Sequence, residues 1–157
     1  LGRFGSAVAV GLAEAGHVVP DVVPPVAAYV PAVRSGSYVY TSGQLPLRDG
    51  QLIRVGKVGA EVTADEAREC AERCALNALA AVKAEIGSLS KVARVVKIVT
   101  FVASTPDFTG QPQVANGASE LLGLAFGETG RHARSAVGVP VLPLDAPVEV
   151  EIIVEIV

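Results

Sequence analysis

Residues 91–104, Lys-Val-Ala-Arg-Val-Val-Lys-Ile-Val-Thr-Phe-Val-Ala-Ser, decide how this chain folds. Val92, Val95, Val96, Ile98, Val99 and Val102 are β-branched, and such side chains suit a pleated surface better than a helix. The run predicts one long strand. Its apolar residues occupy both sides of that strand, so both faces must be shielded from water. Arg94 and Lys97 interrupt the run, which is in any case too short to cross a bilayer as a helix.

Cover for one face lies upstream. Thr63-Ala64-Asp65-Glu66 is a capping box, in which hydroxyl and carboxylate each satisfy an orphan backbone N–H. Behind it Ala67, Cys70, Ala71, Cys74, Ala78, Ala81, Val82 and Ile86 recur at helical spacing, with Arg68, Glu69, Glu72 and Arg73 on the other side. This predicts a helix over 64–86, ended by Gly87. Its many alanines imply close approach to a flat partner, a sheet. A second helix is predicted over 113–126 through Val114, Ala118, Leu121, Leu122 and Ala125, weakened by Gly117 and Gly123.

The remaining segments read as strands and turns. Residues 28–34 and 37–42 predict a hairpin turned at Ser35-Gly36, and Pro46 ends its second strand. Asp49-Gly50 marks another turn, and 52–60 an irregular edge segment. Residues 127–132 form a Gly- and charge-rich turn, 133–142 a strand, 143–147 a turn and 148–156 a closing strand. At the front, residues 6–15 predict a short helix with Ser6 as N-cap and Gly16 as stop. Residues 17–27, with Pro20, Pro24 and Pro25, form an extended connector. Arg3, the apolar stretch from Phe4 and Ala13-Glu14-Ala15 imitate a weak signal peptide, but Gly5 and Gly11 dilute it. No linker or repeat divides the chain, so residues 1–157 read as one domain, with 1–25 as N-terminal helix and connector. The order predicts an α+β fold: one mixed sheet with two helices on one face. The other face is left bare, and a partner subunit is the economical cover.

Composition narrows the function. Half of the 157 residues are hydrophobic, which excludes intrinsic disorder. A net charge of −3 and 4% aromatics argue against nucleic-acid binding as the main task. Two cysteines, Cys70 and Cys74, fit a reducing cytoplasm and read as small core residues rather than metal ligands. There is no GxxxxGK[ST] phosphate loop, and Gly2-Arg3-Phe4-Gly5 lacks the context of one; no GxSxG elbow occurs either. No metal site is expected.

Three strings carry chemistry. Arg131-His132-Ala133-Arg134-Ser135 places two arginines and a histidine at a strand entry, where arginine can clamp a carboxylate bidentately. The bland reading is a solvated turn. Glu149 and Glu151 share one side of a strand, and a carboxylate in apolar surroundings can serve proton transfer. The bland reading is a solvent-facing pair. Tyr40-Thr41-Ser42-Gly43-Gln44-Leu45-Pro46 offers a hydroxyl and an unhindered glycine N–H at a strand end, or simply terminates the strand. Each string alone favours its bland reading.

Together and in order, the strings resemble a family. Ser42-Gly43-Gln44-Leu45-Pro46 is similar to its S-G-Q-[IL]-P, Ala133-Arg134-Ser135-Ala136-Val137 to its A-R-S-C-V, and Val148-Glu149-Val150-Glu151 to its closing [VI]-E-[IV]-E. On these the chain is identified as resembling the RidA/YjgF family, also called endoribonuclease L-PSP, over residues 26–157. Gly-Lys-Val-Gly-Ala-Glu at 56–61 and the longer N-terminus resemble a branch named for endoribonuclease activity. The resemblance implies a chorismate-mutase-like fold whose three subunits close their sheets into a barrel, with sites in clefts between subunits. It implies hydrolysis of enamine or imine acids of the 2-aminoacrylate type to 2-keto acids and ammonia, without metal or organic cofactor. Arg134 matches the arginine that pairs with the substrate carboxylate, and Gly43 and Ala136 the positions whose backbone N–H groups face it. Glu149 matches the glutamate that handles a water. Ser42 and Asn116 match cleft residues, and Tyr29 a tyrosine contributed by the neighbouring subunit. Ala136 departs from the family cysteine, which preserves a backbone role and removes a side-chain one. Two alternatives stay open: a small-carboxylate binding or regulatory protein using the same arginine, and an endoribonuclease supported by the Arg131–Arg134 cluster.

Overall fold

Thr63 and Glu66 form the capping box that the sequence requires. Glu66 N–H donates to Thr63 Oγ1 at 3.1 Å, and Thr63 N–H to the Glu66 carboxylate at 3.0 Å. These contacts belong to a computed structural model that describes residues 7–25 and 27–157. In chain order its elements are α1 (Ala7–Glu14), β1 (Ala32–Ser35), β2 (Tyr38–Thr41), β3 (Leu47–Arg48), β4 (Gln51–Leu52), α2 (Ala64–Ile86), β5 (Val92–Ala103), α3 (Gln111–Phe126), β6 (Ala133–Val139) and β7 (Val148–Ile156), with short 3₁₀ turns between some of them.

Five strands form one sheet in the order β1-β2-β7-β5-β6. Only β5 and β6 run parallel; the other pairs are antiparallel. The predicted mixed sheet is therefore present. The helix connecting β5 to β6 is α3, as a parallel crossover requires. Helices α2 and α3 pack on each other and against the sheet, and α1 packs on α3. The fit is close. A Cβ on Gly117 of α3 would lie 3.0 Å from the backbone carbonyl carbon of Arg68 in α2.

Alternation along β7 separates the two faces. Val148, Val150, Ile152, Val154 and Ile156 are buried in the core with the α2 and α3 side chains, while Glu149, Glu151, Ile153 and Glu155 face the other way. Cys70 and Cys74 are free and buried in this core. Burial pushes the Cys70 thiol up to about 12 and Cys74 well above the usual thiol range, so both are inert packing residues. The opposite face is apolar and open in the isolated chain. Val33, Tyr38, Tyr40 and Val137 there are between 39% and 52% exposed. Among the described residues no helix is long and apolar enough to cross a membrane.

Local chemistry moved several boundaries. The first hairpin strand begins only at Ala32, because Tyr29 N–H folds back to the Ala27 carbonyl and Pro31 brings no donor. Its turn shifts to Gly36-Ser37, with Gly36 at φ +61. Asp49 and Gly50, at φ 53 and 79, form the turn expected there and close a small β3–β4 hairpin just ahead of the irregular 52–60 segment. Helix α3 starts two residues early, since Pro112 is tolerated in a first turn. Strand β6 stops before Pro140, which cannot donate to a ladder. The Ser6 cap, the Gly2–Gly5 string and the Arg3 and Phe4 end of the signal-like stretch lie outside the described residues.

Candidate functional site

Arg134 sits on β6, the edge strand, in register with Ile98 of β5. Ile98 is in turn in register with Ile152, a core residue beneath the helices. Neighbours in register share a face, so the Arg134 side chain lies on the helix side of the sheet. There α3 meets it. Arg134 Nη1 donates to Asn116 Oδ1 at 2.7 Å and to Ser119 Oγ at 3.2 Å. Both acceptors are neutral. No carboxylate lies within ion-pair distance of the guanidinium among the described residues, and Nε and Nη2 have no intramolecular partner there. A cavity of about 320 Å³ opens beside it, lined by Ser119, Gly123, Gly130, Arg131, His132 and Arg134. The half-buried cation is thus anchored on one side and uncompensated on the other.

The neighbouring edge offers backbone donors. The Val139 carbonyl accepts from Ser104 N–H, so it faces β5. Alternation then turns the N–H groups of Ala136 and Gly138 toward the free edge. Nothing in this arrangement calls on the side chain at position 136.

A second group gathers on the other side of the sheet. Glu149 is in register with Phe101, which is in register with Val137. Its carboxylate rests against Gly43: a Cβ at that glycine would lie 2.7 Å from Glu149 Cδ and 3.0 Å from Cγ, and nearer still to Oε1. Glycine at 43 is therefore a matter of space. Burial, and then the like charge of Glu151, raise the Glu149 pKa above its ordinary value. Tyr29 and Gly43 of the same chain line one small pocket of about 30 Å³, with Pro24, Pro25 and Leu45. The Ser42 hydroxyl donates to the Val30 carbonyl at 2.6 Å and so straps the Tyr29 segment to the end of β2.

The expected site residues thus fall into two sets. Arg134, Asn116 and Ala136 lie along β6 and α3; Tyr29, Ser42, Gly43 and Glu149 lie around the ends of β2 and β7. The two candidate catalytic groups, Arg134 and Glu149, occupy opposite faces of one sheet and do not meet within one chain. Among the described residues no three His, Cys, Asp or Glu side chains gather as metal ligands would.

Sequence reasoning missed Ser119 and Asn77, and named His132 only within the string around Arg134. Ser119 lies one helical turn beyond Asn116, so helix periodicity would have flagged it. His132 Nε2 is 2.9 Å from Ser119 Oγ, and Nδ1 is 2.6 Å from the Gly130 carbonyl. Asn77, wholly buried in α2, donates to the Leu45 and Leu47 carbonyls at 3.0 Å each. It fixes the strand that follows Gly43. No local pattern marks it, because its partners are thirty residues away.

Several known proteins are similar to this chain. Protein TCP17 of Trypanosoma cruzi is 45% identical over 150 residues, covering 95% of this chain and 94% of its own. A 2-iminobutanoate/2-iminopropanoate deaminase of Dermatophagoides farinae is 34% identical over 132 residues, covering 84% and 88%. Among solved structures, the protein Atu1372 of unknown function from Agrobacterium tumefaciens superposes with a TM-score of 0.92 at 46% identity, over 98% of this chain and 94% of that one. Residues 9–156 match the family described as "YjgF/chorismate mutase-like, putative endoribonuclease". With its mixed sheet, its two sheet-packed helices and all three motifs in order, this chain belongs to the YjgF/chorismate-mutase-like family.

Proposed function

We propose that the protein hydrolyses small enamine or imine acids of the 2-aminoacrylate type, releasing a 2-keto acid and ammonia. One observation carries the reading: Arg134 is held by two neutral acceptors and keeps its charge and its remaining N–H groups for something else. A carboxylate is the anion whose geometry matches a guanidinium fork. The deaminase relative supports the same substrate class.

The chemistry asks for little. The enamine tautomerises to an imine, whose carbon is already electrophilic. Arg134 holds the carboxylate, helped by the edge N–H of Ala136, and fixes the imine in place. Glu149, which burial makes a stronger base than an ordinary carboxylate, takes a proton from water as its oxygen adds to the imine carbon. That proton passes to nitrogen to give the carbinolamine; Glu149 then takes the hydroxyl proton of the adduct and returns it to nitrogen as the C–N bond breaks, so ammonia leaves and a carbonyl remains. No electrons are exchanged.

This reading needs the two sets of residues brought together by a second copy. The exposed apolar face containing Val33, Tyr38, Tyr40 and Val137 supports a homotrimeric assembly in which sheets cover one another. Each cleft then takes Arg134, Asn116 and Ala136 from one subunit and Tyr29, Ser42, Gly43 and Glu149 from the next. Within that scheme Tyr29 reaches the cleft together with its own Gly43.

The test is the Arg134→Ala variant. Keto-acid release from 2-aminoacrylate generated in situ should fall to the uncatalysed rate, while light scattering still gives the mass of a trimer. An unchanged rate removes the clamp. Saturable carboxylate binding by the wild-type protein with no acceleration at all would replace catalysis by ligand sensing at the same arginine.

A further inference from the structure

We propose that Ser119 and His132 are working parts of the anion site, and that a proton on His132 tightens its hold on a carboxylate. The inference rests on the reading of Arg134 as a carboxylate clamp. It starts from a chain of hydrogen bonds in which each direction is forced. The Gly130 carbonyl can only accept, so His132 Nδ1, 2.6 Å away, carries the hydrogen. In the neutral ring Nε2 is then an acceptor. Ser119 Oγ, at 2.9 Å, must donate its hydroxyl hydrogen to it. The same oxygen accepts from Arg134 Nη1 at 3.2 Å. The serine hydroxyl is spent on the ring, and a ligand finds only its filled oxygen.

Protonation reverses one link. His132 Nε2 becomes a donor toward Ser119 Oγ, and the serine hydrogen must turn to a new acceptor. Arg134, its other neighbour, offers only donors. The cavity of about 320 Å³ beside these side chains is lined by no carboxylate. An oxygen of a bound anion in that cavity takes the serine hydroxyl and the free Arg134 N–H groups, and lies close to two cations instead of one.

The surroundings set the sign. Beside His132 in the chain stand Arg131 and, on β6, Arg134. From β5, Arg94 donates to the Arg131 carbonyl, and Lys97 is in register with Ala133. On α3 the nearby carboxylate is Glu120, already paired with Arg68; on the preceding turn it is Glu128, 3.5 Å from Arg131. The rim is mostly cationic, and a bound anion offsets that charge beside the ring. By reciprocity, an anion that favours the imidazolium is itself bound more tightly by it. Affinity should rise as pH falls through the imidazole range.

The probe is pyruvate, whose carboxyl stays ionised throughout. Calorimetric titration into the full chain should give binding about three- to tenfold tighter near pH 5.5 than near pH 8. The His132 midpoint, followed by NMR, should rise on adding pyruvate by the logarithm of the same factor. His132→Gln places a non-titrating acceptor near the Nε2 position and should bind with little pH dependence; Arg134→Ala should not bind at all. Pyruvate bound by the wild type and lost in Arg134→Ala, but with equal affinity at both pH values, overturns this inference and leaves the clamp standing. An unaltered pH dependence in His132→Gln overturns it as well. A failure of pyruvate to bind at either pH removes the clamp and the inference together. Independently of any ligand, imidazole nitrogen shifts showing Nε2–H rather than Nδ1–H at neutral pH would sink the hydrogen-bond chain.

Discussion

Replacing Gly43 with alanine separates site geometry from fold stability. The backbone at 43 is not among the glycines with positive φ, so alanine brings no conformational strain there. The added methyl would lie 2.7 Å from Glu149 Cδ and 3.0 Å from Cγ, where ordinary carbon contacts are about 3.5–4.0 Å. The carboxylate must therefore retreat by about 1 Å. It is the far end of a flexible side chain, so an off-rotamer shift of about 0.5–1.5 kcal/mol bounds the loss of stability. A misplacement of that size at a reacting group costs about 10²-fold in rate. The variant should unfold in urea close to the wild type and retain its mass by light scattering. Its kcat/KM for 2-aminoacrylate hydrolysis should fall about a hundredfold. Activity within threefold of wild type would show that the carboxylate at 149 need not stand where it does, and the water-handling role would be lost.

Glu149→Gln should cost about 10²–10⁴-fold in rate as the general base is removed. Its effect on stability has the opposite sign. The folded-state pKa of Glu149 is raised, so the stability this group contributes is complete at low pH and is lost as pH rises through that pKa. The glutamine variant should be the more stable protein near pH 7, a difference that urea titrations should see vanish near about pH 4. Gly117→Ala inverts the Gly43 result. Its methyl meets the Arg68 backbone rather than a side-chain tip, so α2 and α3 must separate at about 1–3 kcal/mol. Chemical denaturation should report that loss, and a fully stable variant would contradict the close approach of the two helices.

How much was legible from sequence depended on the range of the interaction. Thr63 and Glu66 sit three apart, so their reciprocal capping is complete within one helical turn and marks the start of α2 directly. Val148 to Ile156 alternates without interruption, and its two faces follow from period alone. Pro140 shortened β6 and Pro112 lengthened α3 for reasons that proline chemistry contains but that composition windows blur. His132 stood in the string around Arg134, and Ser119 was legible in principle as the turn-mate of Asn116. Asn77 was not, since its amide serves carbonyls on a distant loop.

By themselves, the residues determined the element types, the helical and strand periodicities, the bare sheet face and the three strings in which chemistry could sit. Tertiary structure alone decided which face of the sheet each of those strings serves. A strand's own alternation sorts its residues into two sides, but matching the sides of one strand to those of another depends on register. Here β5 carries that register in an unbroken run, with Ile98 opposite both Arg134 and Ile152 and Phe101 opposite both Val137 and Glu149. A shift of one residue would have exchanged every side chain between faces. The observed pairing sends Arg134 under the helices and Glu149 to the open face. Two groups that read as one site along the chain therefore stand on opposite faces of one sheet.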